Sequence, residues 1–145
     1  MAEPRALLRF RDDDPHDEPA VTLDAFLAGQ SDATAVRLEA GDDARALLPS
    51  LDRLDLVEVS FPSFRDGRGY SSARILREAG YAGELRAGGD VLVDQVPYMR
   101  RCGFDSFAPD APIDPATLDR SLPRYDQVYQ KAADGAVPVW KLRHG

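Results

Sequence analysis

Cysteine occurs once in this chain, as Cys102, and histidine twice, as His16 and His144. That scarcity excludes an intramolecular disulfide and the usual tetrahedral zinc sets, and a lone thiol fits a reducing compartment. Long apolar runs are missing too, since none approaches the roughly 20 residues of a membrane-spanning helix. Met1-Ala-Glu-Pro-Arg5 has neither the basic nor the apolar region of a secretory signal, so the expected address is cytoplasmic. Positive charge is in deficit, with 18 Lys plus Arg against 25 Asp plus Glu and a net charge of -7. A field of that sign repels nucleic acid and anionic lipid, so neither is expected as a partner, and any anion has to be attracted locally.

What is present is the composition of one globular domain. The 145 residues are 43% hydrophobic, and the 11 prolines and 11 glycines fall between periodic segments instead of forming a low-complexity block. The first 34 residues read as a separate segment. Ala6 to Phe10 is a candidate short strand, and Asp12 to Glu18 carries five carboxylates whose mutual repulsion predicts a solvated loop. Thr22 is placed to cap a short helix through Leu23, Phe26 and Leu27, which Gly29 ends.

From residue 35 to 145 the pattern becomes that of an α/β domain. Residues 35–38, 56–61, 84–87 and 104–107 alternate or run apolar as strands do. The intervening segments carry apolar residues at helical spacing: Leu47, Leu48, Leu51 and Leu54, then Ala73, Leu76 and Ala79, then Leu92, Val96, Met99 and Cys102. Pro49 implies a helix that starts near Leu48 or has a separate, kinked first turn, Asp90 is placed as an N-cap, and Pro97 predicts a kink after Val93. Asp114-Pro115 opens another predicted helix, and the stretches around Gly135 suit a closing hairpin. About four mainly parallel strands with alternating helices fit half of a barrel or a small doubly wound sheet. Either arrangement brings ligands to the carboxyl ends of the strands.

At one such end lies Phe61-Pro-Ser-Phe-Arg-Asp-Gly-Arg-Gly-Tyr-Ser-Ser-Ala-Arg74. Its glycines let backbone approach a ligand, the helix after it offers unpaired N–H groups, and its arginines add charge, a combination suited to sulfite, sulfate or phosphate. The candidate anion- or partner-binding residues are Arg65, Asp66, Gly67, Arg68, Gly69, Tyr70 and Arg74, joined by Arg86 and Asp90 from the next strand and loop. A plainer reading stands beside it, in which Asp66 ties down the turn, the arginines pair with carboxylates such as Asp90, and the glycines only supply backbone angles. Tyr70 beside arginines is a candidate proton donor, while Phe61 and Phe64 read as core. Asp90 and Asp94, one helical turn apart, suit metal binding or acid–base work, or simply an N-cap with a first-turn acid. Cys102, at a helix carboxyl end among apolar residues, reads as a buried structural thiol. The sequence shows no complete catalytic constellation, metal set or cofactor motif.

The arginine–glycine loop, with Glu84-Leu-Arg-Ala-Gly-Gly-Asp-Val-Leu-Val-Asp-Gln95 and Tyr98-Met-Arg-Arg-Cys-Gly-Phe-Asp105, resembles an uncharacterised bacterial family. Its members are typically encoded beside sulfite reductase and phosphoadenylyl-sulfate reductase. The resemblance runs from about residue 36 to 107 and returns at residues 128–130 and 138–143, while the first 35 residues match poorly. It implies a role in assimilatory sulfate reduction and, as partners, sulfite reductase or phosphoadenylyl-sulfate reductase. The expected function is an accessory protein binding a reductase or a small oxyanion. The alternative is a small oxidoreductase-like enzyme of the same pathway with its site at the strand ends.

Overall fold

The computed structural model of the chain describes residues 6–13, 19–29, 32–63, 65, 67–110, 127–132 and 138–143. Its elements are β1 (Ala6–Arg9), β2 (Val21–Thr22), α1 (Leu23–Leu27), β3 (Ala35–Leu38), a 3-10 helix Ala44–Arg53, β4 (Leu56–Phe61) and α2 (Arg68–Glu78). They continue with β5 (Glu84–Gly89), a 3-10 turn Val93–Gln95, α3 (Val96–Cys102), β6 (Ser106–Pro109), β7 (Gln127–Ala132) and β8 (Pro138–Arg143). The strands form one sheet in the order β2-β3-β4-β5-β6-β1-β7-β8. From β2 to β6 the neighbours are parallel, and β1, β7 and β8 continue the sheet antiparallel. No helix among the described residues is long and apolar enough to cross a membrane.

Side chains alternate across a strand, so the register decides what each face carries. Leu38, Val59, Ala87, Phe107 and Leu8 are aligned across five strands. All five are buried in one apolar cluster with Leu23 and Phe26 of α1, Ala44 and Leu47 of the 3-10 helix, Ala73 and Leu76 of α2, and Val96 and Met99 of α3. The helices therefore lie on one face, and the parallel strands advance in one direction without a reversal. Of the two architectures compatible with the sequence, this is the singly wound one, as in half of a barrel.

The alternation of strands and helices and the closing β7–β8 hairpin agree with expectation; the details differ for identifiable reasons. Within the first 34 residues, β1 is inserted between β6 and β7, and Leu8, Leu23 and Phe26 are core residues. The strand expected at 104–107 begins two residues later. Phe104 enters the core from the preceding loop, and the Asp105 carboxylate takes the Leu85 N–H at 2.8 Å. Pro49 neither starts nor splits its helix, since the whole of Ala44–Arg53 is wound as a 3-10 helix, capped by Asp43 accepting from the Arg45 N–H at 3.0 Å. The tighter winding carries Leu48 to the surface, and Leu92 and Ala79 are exposed as well. Asp90 is not an N-cap, because the 3-10 turn starts only after Leu92, whose backbone is extended, and the Asp90 N–H is donated to the Phe61 carbonyl at 2.8 Å. Pro97 lies in the first turn of α3, just after the 3-10 turn, where a missing N–H costs little. The predicted helix after Asp114 and the turn at Gly135 lie outside the described residues.

α2 meets β4 at unusually close range. A Cβ on Gly69 would stand 2.5 Å from the Phe61 ring and 3.0 Å from Val59, whereas one on Gly67 would meet nothing within 4 Å. Gly69→Ala is therefore expected to lower stability by about 1–3 kcal/mol through overpacking. Gly67→Ala, exposed and at a φ of -88°, is expected to change it by less than about 0.5 kcal/mol. Urea unfolding of the two variants checks the contrast, and equal losses would contradict the packing assigned to Gly69.

Candidate functional site

The carboxyl ends of β3, β4 and β5 deliver three turns to one edge of the sheet. After β3 the chain turns at Gly41, where Asp42 accepts the Glu39 N–H at 2.8 Å. After β4 the Ser63 hydroxyl accepts the Arg65 N–H at 3.2 Å, and the chain reaches α2 through Gly67 at the N-cap. After β5, Gly89 takes a φ of +93°, and a Cβ there would lie 2.4 Å from the Phe61 carbonyl oxygen, so only glycine fits. The Gly89 carbonyl also accepts the Asp110 N–H at 2.9 Å, which laces the ends of β4, β5 and β6 together.

Of the residues singled out in the sequence, this edge gathers Arg65, Gly67, Arg68 and Asp90. Arg65 and Arg68 are exposed, and Arg68 reaches across to the β3 turn, its Nη1 3.6 Å from where a Cβ on Gly41 would be. Gly69 is buried beneath α2 and serves packing. Tyr70 lies on the other side of α2, with its ring 5.5 Å from Phe61 and 5.3 Å from Tyr98. Burial, and then Cys102 and Tyr98 nearby, raise its phenol above the ordinary value, which makes it a poor proton donor at neutral pH. Arg74 is exposed one turn further along α2. Asp94, the other carboxylate of the anticipated helical pair, is exposed in the 3-10 turn, and Asp90 precedes that turn. Asp66 and Phe64, like His16 and His144, lie outside the described residues.

Arg86 belongs elsewhere, on the face of the sheet turned away from the helices. There the register aligns Arg37, Glu58, Arg86, Ser106 and Arg9 in one row. The Glu84 carboxylate binds both arginines: Oε1 accepts from Arg9 Nε at 3.0 Å and Nη2 at 2.8 Å, and Oε2 accepts from Arg86 Nη2 at 2.9 Å. Arg86 Nε also donates to Ser106 Oγ at 3.3 Å, and Glu58 lies 3.9 Å from Arg86 Nη1. Arg9 and Glu84 are each 3% exposed by side chain. Burial pulls the Glu84 pKa up, but the hydrogen bonds and charges of Arg9 and Arg86, with Ser106, outweigh it and hold the carboxylate below its ordinary value. Reading along the chain could not find this row, since its members look like polar positions on unconnected strands and become neighbours only once the register is known.

The amino-terminal ends of the parallel strands carry a second charged group. Asp105 Oδ2 accepts from Arg11 Nη1 at 2.6 Å and Arg77 Nη2 at 3.1 Å, while Arg77 also donates to the carbonyls of Gly103, Tyr81 and Gly83 at 2.8–2.9 Å. Asp13 joins Arg9 and Arg11, and its pKa is lowered chiefly by the hydrogen bond from Arg11. An open cleft of about 530 Å³ lies here, lined by Phe10, Arg11, Asp12, Asp13, Arg100 and Asp105. Ion pairs already engage Arg11, Asp13 and Asp105. Among the described residues, no group of three or more His, Cys, Asp and Glu could hold a metal ion.

Compared with known proteins, the chain matches the DUF934 family, described as bacterial protein of unknown function, over residues 35–140. It belongs to that family. No curated protein and no solved structure matches the chain. The DUF934 match spans all three loops of the strand-end edge and the row through Glu58, Arg86 and Ser106, but stops short of Arg9, which lies before it.

Two outcomes follow from these environments. Because the folded pKa of Glu84 lies below its ordinary 4.5, its stabilisation is full above that value and drains away as pH falls toward the folded value. Urea midpoints are therefore expected to fall on acidification below about 4.5, and Glu84→Gln to cost about 3–5 kcal/mol near neutral pH while flattening that acid limb. An unchanged acid limb in the variant would contradict the assignment. Cys102 is 5% exposed at the carboxyl end of α3, so native-state labelling by a thiol reagent is expected to be slow and to track unfolding; rapid labelling would show a reactive thiol instead.

Proposed function

We propose that this DUF934 protein is an accessory protein of assimilatory sulfate and sulfite reduction, acting in the cytoplasm. In this reading it holds a small oxyanion, or the acidic group of a reductase partner, at the carboxyl edge of its parallel strands. The observation that carries the reading is the start of α2. Gly67 at the N-cap has no side chain to cap the first-turn N–H groups, and the Arg68 guanidinium lies across the neighbouring β3 turn. A helix amino terminus and a guanidinium at one edge offer a tetrahedral oxyanion both oriented N–H donors and charge-assisted hydrogen bonds. Arg65, exposed in the same loop, adds charge that the chain's net -7 does not supply at large. The pathway and the reductase partner rest on the resemblance of residues 36–107 to proteins encoded beside sulfite reductase.

The arrangement offers binding more readily than chemistry. Tyr70 holds its proton tightly, Cys102 is buried, and the two charged networks are occupied with each other. A protein that presents an anion or grips a partner needs no more than the edge provides. Calorimetric titration with sulfite, sulfate and phosphate, with a pull-down of sulfite reductase, tests the reading on wild type and Arg68→Ala. The variant is expected to lose about 1.5–3 kcal/mol of binding free energy while its unfolding midpoint stays within about 1 kcal/mol of wild type. If wild type binds none of these, or Arg68→Ala binds them equally, the edge is structural and the proposal fails.

A further inference from the structure

The face of the sheet turned away from the helices holds one carboxylate that its neighbours leave unsatisfied. Glu58 lies near the middle of that face with 16% of its side chain exposed, and its nearest cation, Arg86 Nη1, stands 3.9 Å away. Among the described residues no hydrogen bond reaches this carboxylate, although such bonds form at about 2.7–3.2 Å and recessed polar groups almost always make them. Arg86 commits Nε to Ser106 and Nη2 to Glu84, which leaves Nη1 beside Glu58 without a hydrogen bond among the described residues. Ser60 lies two residues further along β4, on the same face. It is half-buried, and its hydroxyl makes no hydrogen bond among the described residues either. Across from Ser60 the register sets Gly88 of β5 and Ala108 of β6, so these three strands carry only small side chains between the Glu58–Arg86 row and the carboxyl-terminal edge.

From this geometry we propose that Glu58, Ser60 and Arg86 Nη1 form a site for a small molecule of no net charge that sets an N–H donor beside an oxygen acceptor. A carboxamide and the zwitterionic end of an amino acid both have that chemistry. The donor answers Glu58, and the acceptor answers the Ser60 hydroxyl and the remaining N–H groups of Arg86. Charge on this face selects against a simple ion, because Arg9, Arg37 and Arg86 are matched by Glu84, Glu39 and Glu58. An anion would be repelled by Glu58 and a cation by Arg86, whereas a dipolar group meets both with the right end. Gly88 and Ala108 leave an approach from the carboxyl-terminal edge, the end at which parallel sheets with crossover helices receive ligands. The site is independent of the oxyanion reading, since α2, which carries Arg68, packs on the opposite face.

The test is a titration of the intact chain followed through its backbone amide NMR resonances. Glycine and acetamide are the probes, with sodium acetate and methylammonium chloride as singly charged comparisons at equal ionic strength. Glycine, acetamide or both are expected to shift the resonances of β4 and β5 around Glu58 and Arg86 saturably, and the one that does so identifies the zwitterion or the amide as the source of the donor and acceptor. Glu58→Gln removes the charge and keeps the shape of the side chain, and it is expected to weaken the bound probe by about fivefold or more. Ser60→Leu, which fills the approach, is expected to weaken it at least as much, with unfolding midpoints confirming that each variant is folded; Glu58→Gln carries the test alone if Ser60→Leu does not fold. Arg45→Glu, an exposed charge change on the 3-10 helix, should leave binding unchanged. No saturable shift with either probe would mean that water alone satisfies Glu58, and it would overturn the proposal. So would unchanged binding in either folded variant, or shifts of equal size with acetate or methylammonium.

Discussion

The ion pair between Arg9 and Glu84 is the interaction on which the assembly of this sheet turns. β1 runs antiparallel to its neighbours and, among the described residues, lies in the sheet between the parallel strands and the β7–β8 pair. To enter there, it must place alternate residues on both faces. Leu8 enters the apolar cluster, and Arg9 is carried onto the opposite face with 3% of its side chain exposed. A buried guanidinium without a counter-charge costs several kcal/mol, which would expel the strand. Glu84 supplies that charge from two strands away, with Ser106 of the intervening β6 on the same row between them. The burial of Arg9, and with it the place of β1 between β6 and β7, therefore leans on one carboxylate that is itself steadied by Arg86.

This dependence explains which parts of the fold could be read from the sequence. Parallel strands alternating with helices write their pattern locally, in runs such as Leu56 to Phe61 followed by an apolar stripe through Ala73 and Leu76, and those elements stand where expected. β1 writes nothing local about its neighbours, because its partners are about a hundred residues away. Windings fared less well than positions. Leu47, Leu48, Leu51 and Leu54 fit an α-helical stripe, but around Pro49 the chain winds as a 3-10 helix, which buries Leu47 and Leu54 and turns Leu48 outward. Asp90 looked like a cap because its type is right; the tie from its N–H to the Phe61 carbonyl, made where the chain bends after Gly89, has no sequence signature.

The candidate site was half legible for a similar reason. A run with two glycines and several arginines before a helix marks a strand-end loop wherever parallel strands are expected, and the loop is there. What the run could not reveal is its division of labour. Gly67 is open to solvent, whereas Gly69 exists so that α2 can lie against Phe61. Arginine is equally ambiguous. Arg77 looks in sequence like one more solvent-facing residue of α2, yet it clamps three carbonyls and Asp105, while Arg74, three residues earlier, is exposed. The difference lies in what each guanidinium can reach, which depends on loops arriving from elsewhere in the chain.

The distribution of these contacts divides the two edges of the parallel sheet by task. At the amino-terminal ends, Asp105 holds Arg11, Arg77 and the Leu85 N–H, and Glu84 holds Arg9 and Arg86. Charges so thoroughly bound to one another contribute order and have little left to offer a ligand, since each new contact would have to replace an existing one in a poorly solvated setting. At the carboxyl-terminal ends the lacing is by backbone instead, through Phe61, Gly89 and Asp110, and the arginines of the loop stand toward solvent. The Asp42 carboxylate and the Ser63 hydroxyl add their own ties to the turns after β3 and β4. The two edges are thus held mainly by different means, side-chain charge at one and main-chain hydrogen bonds at the other.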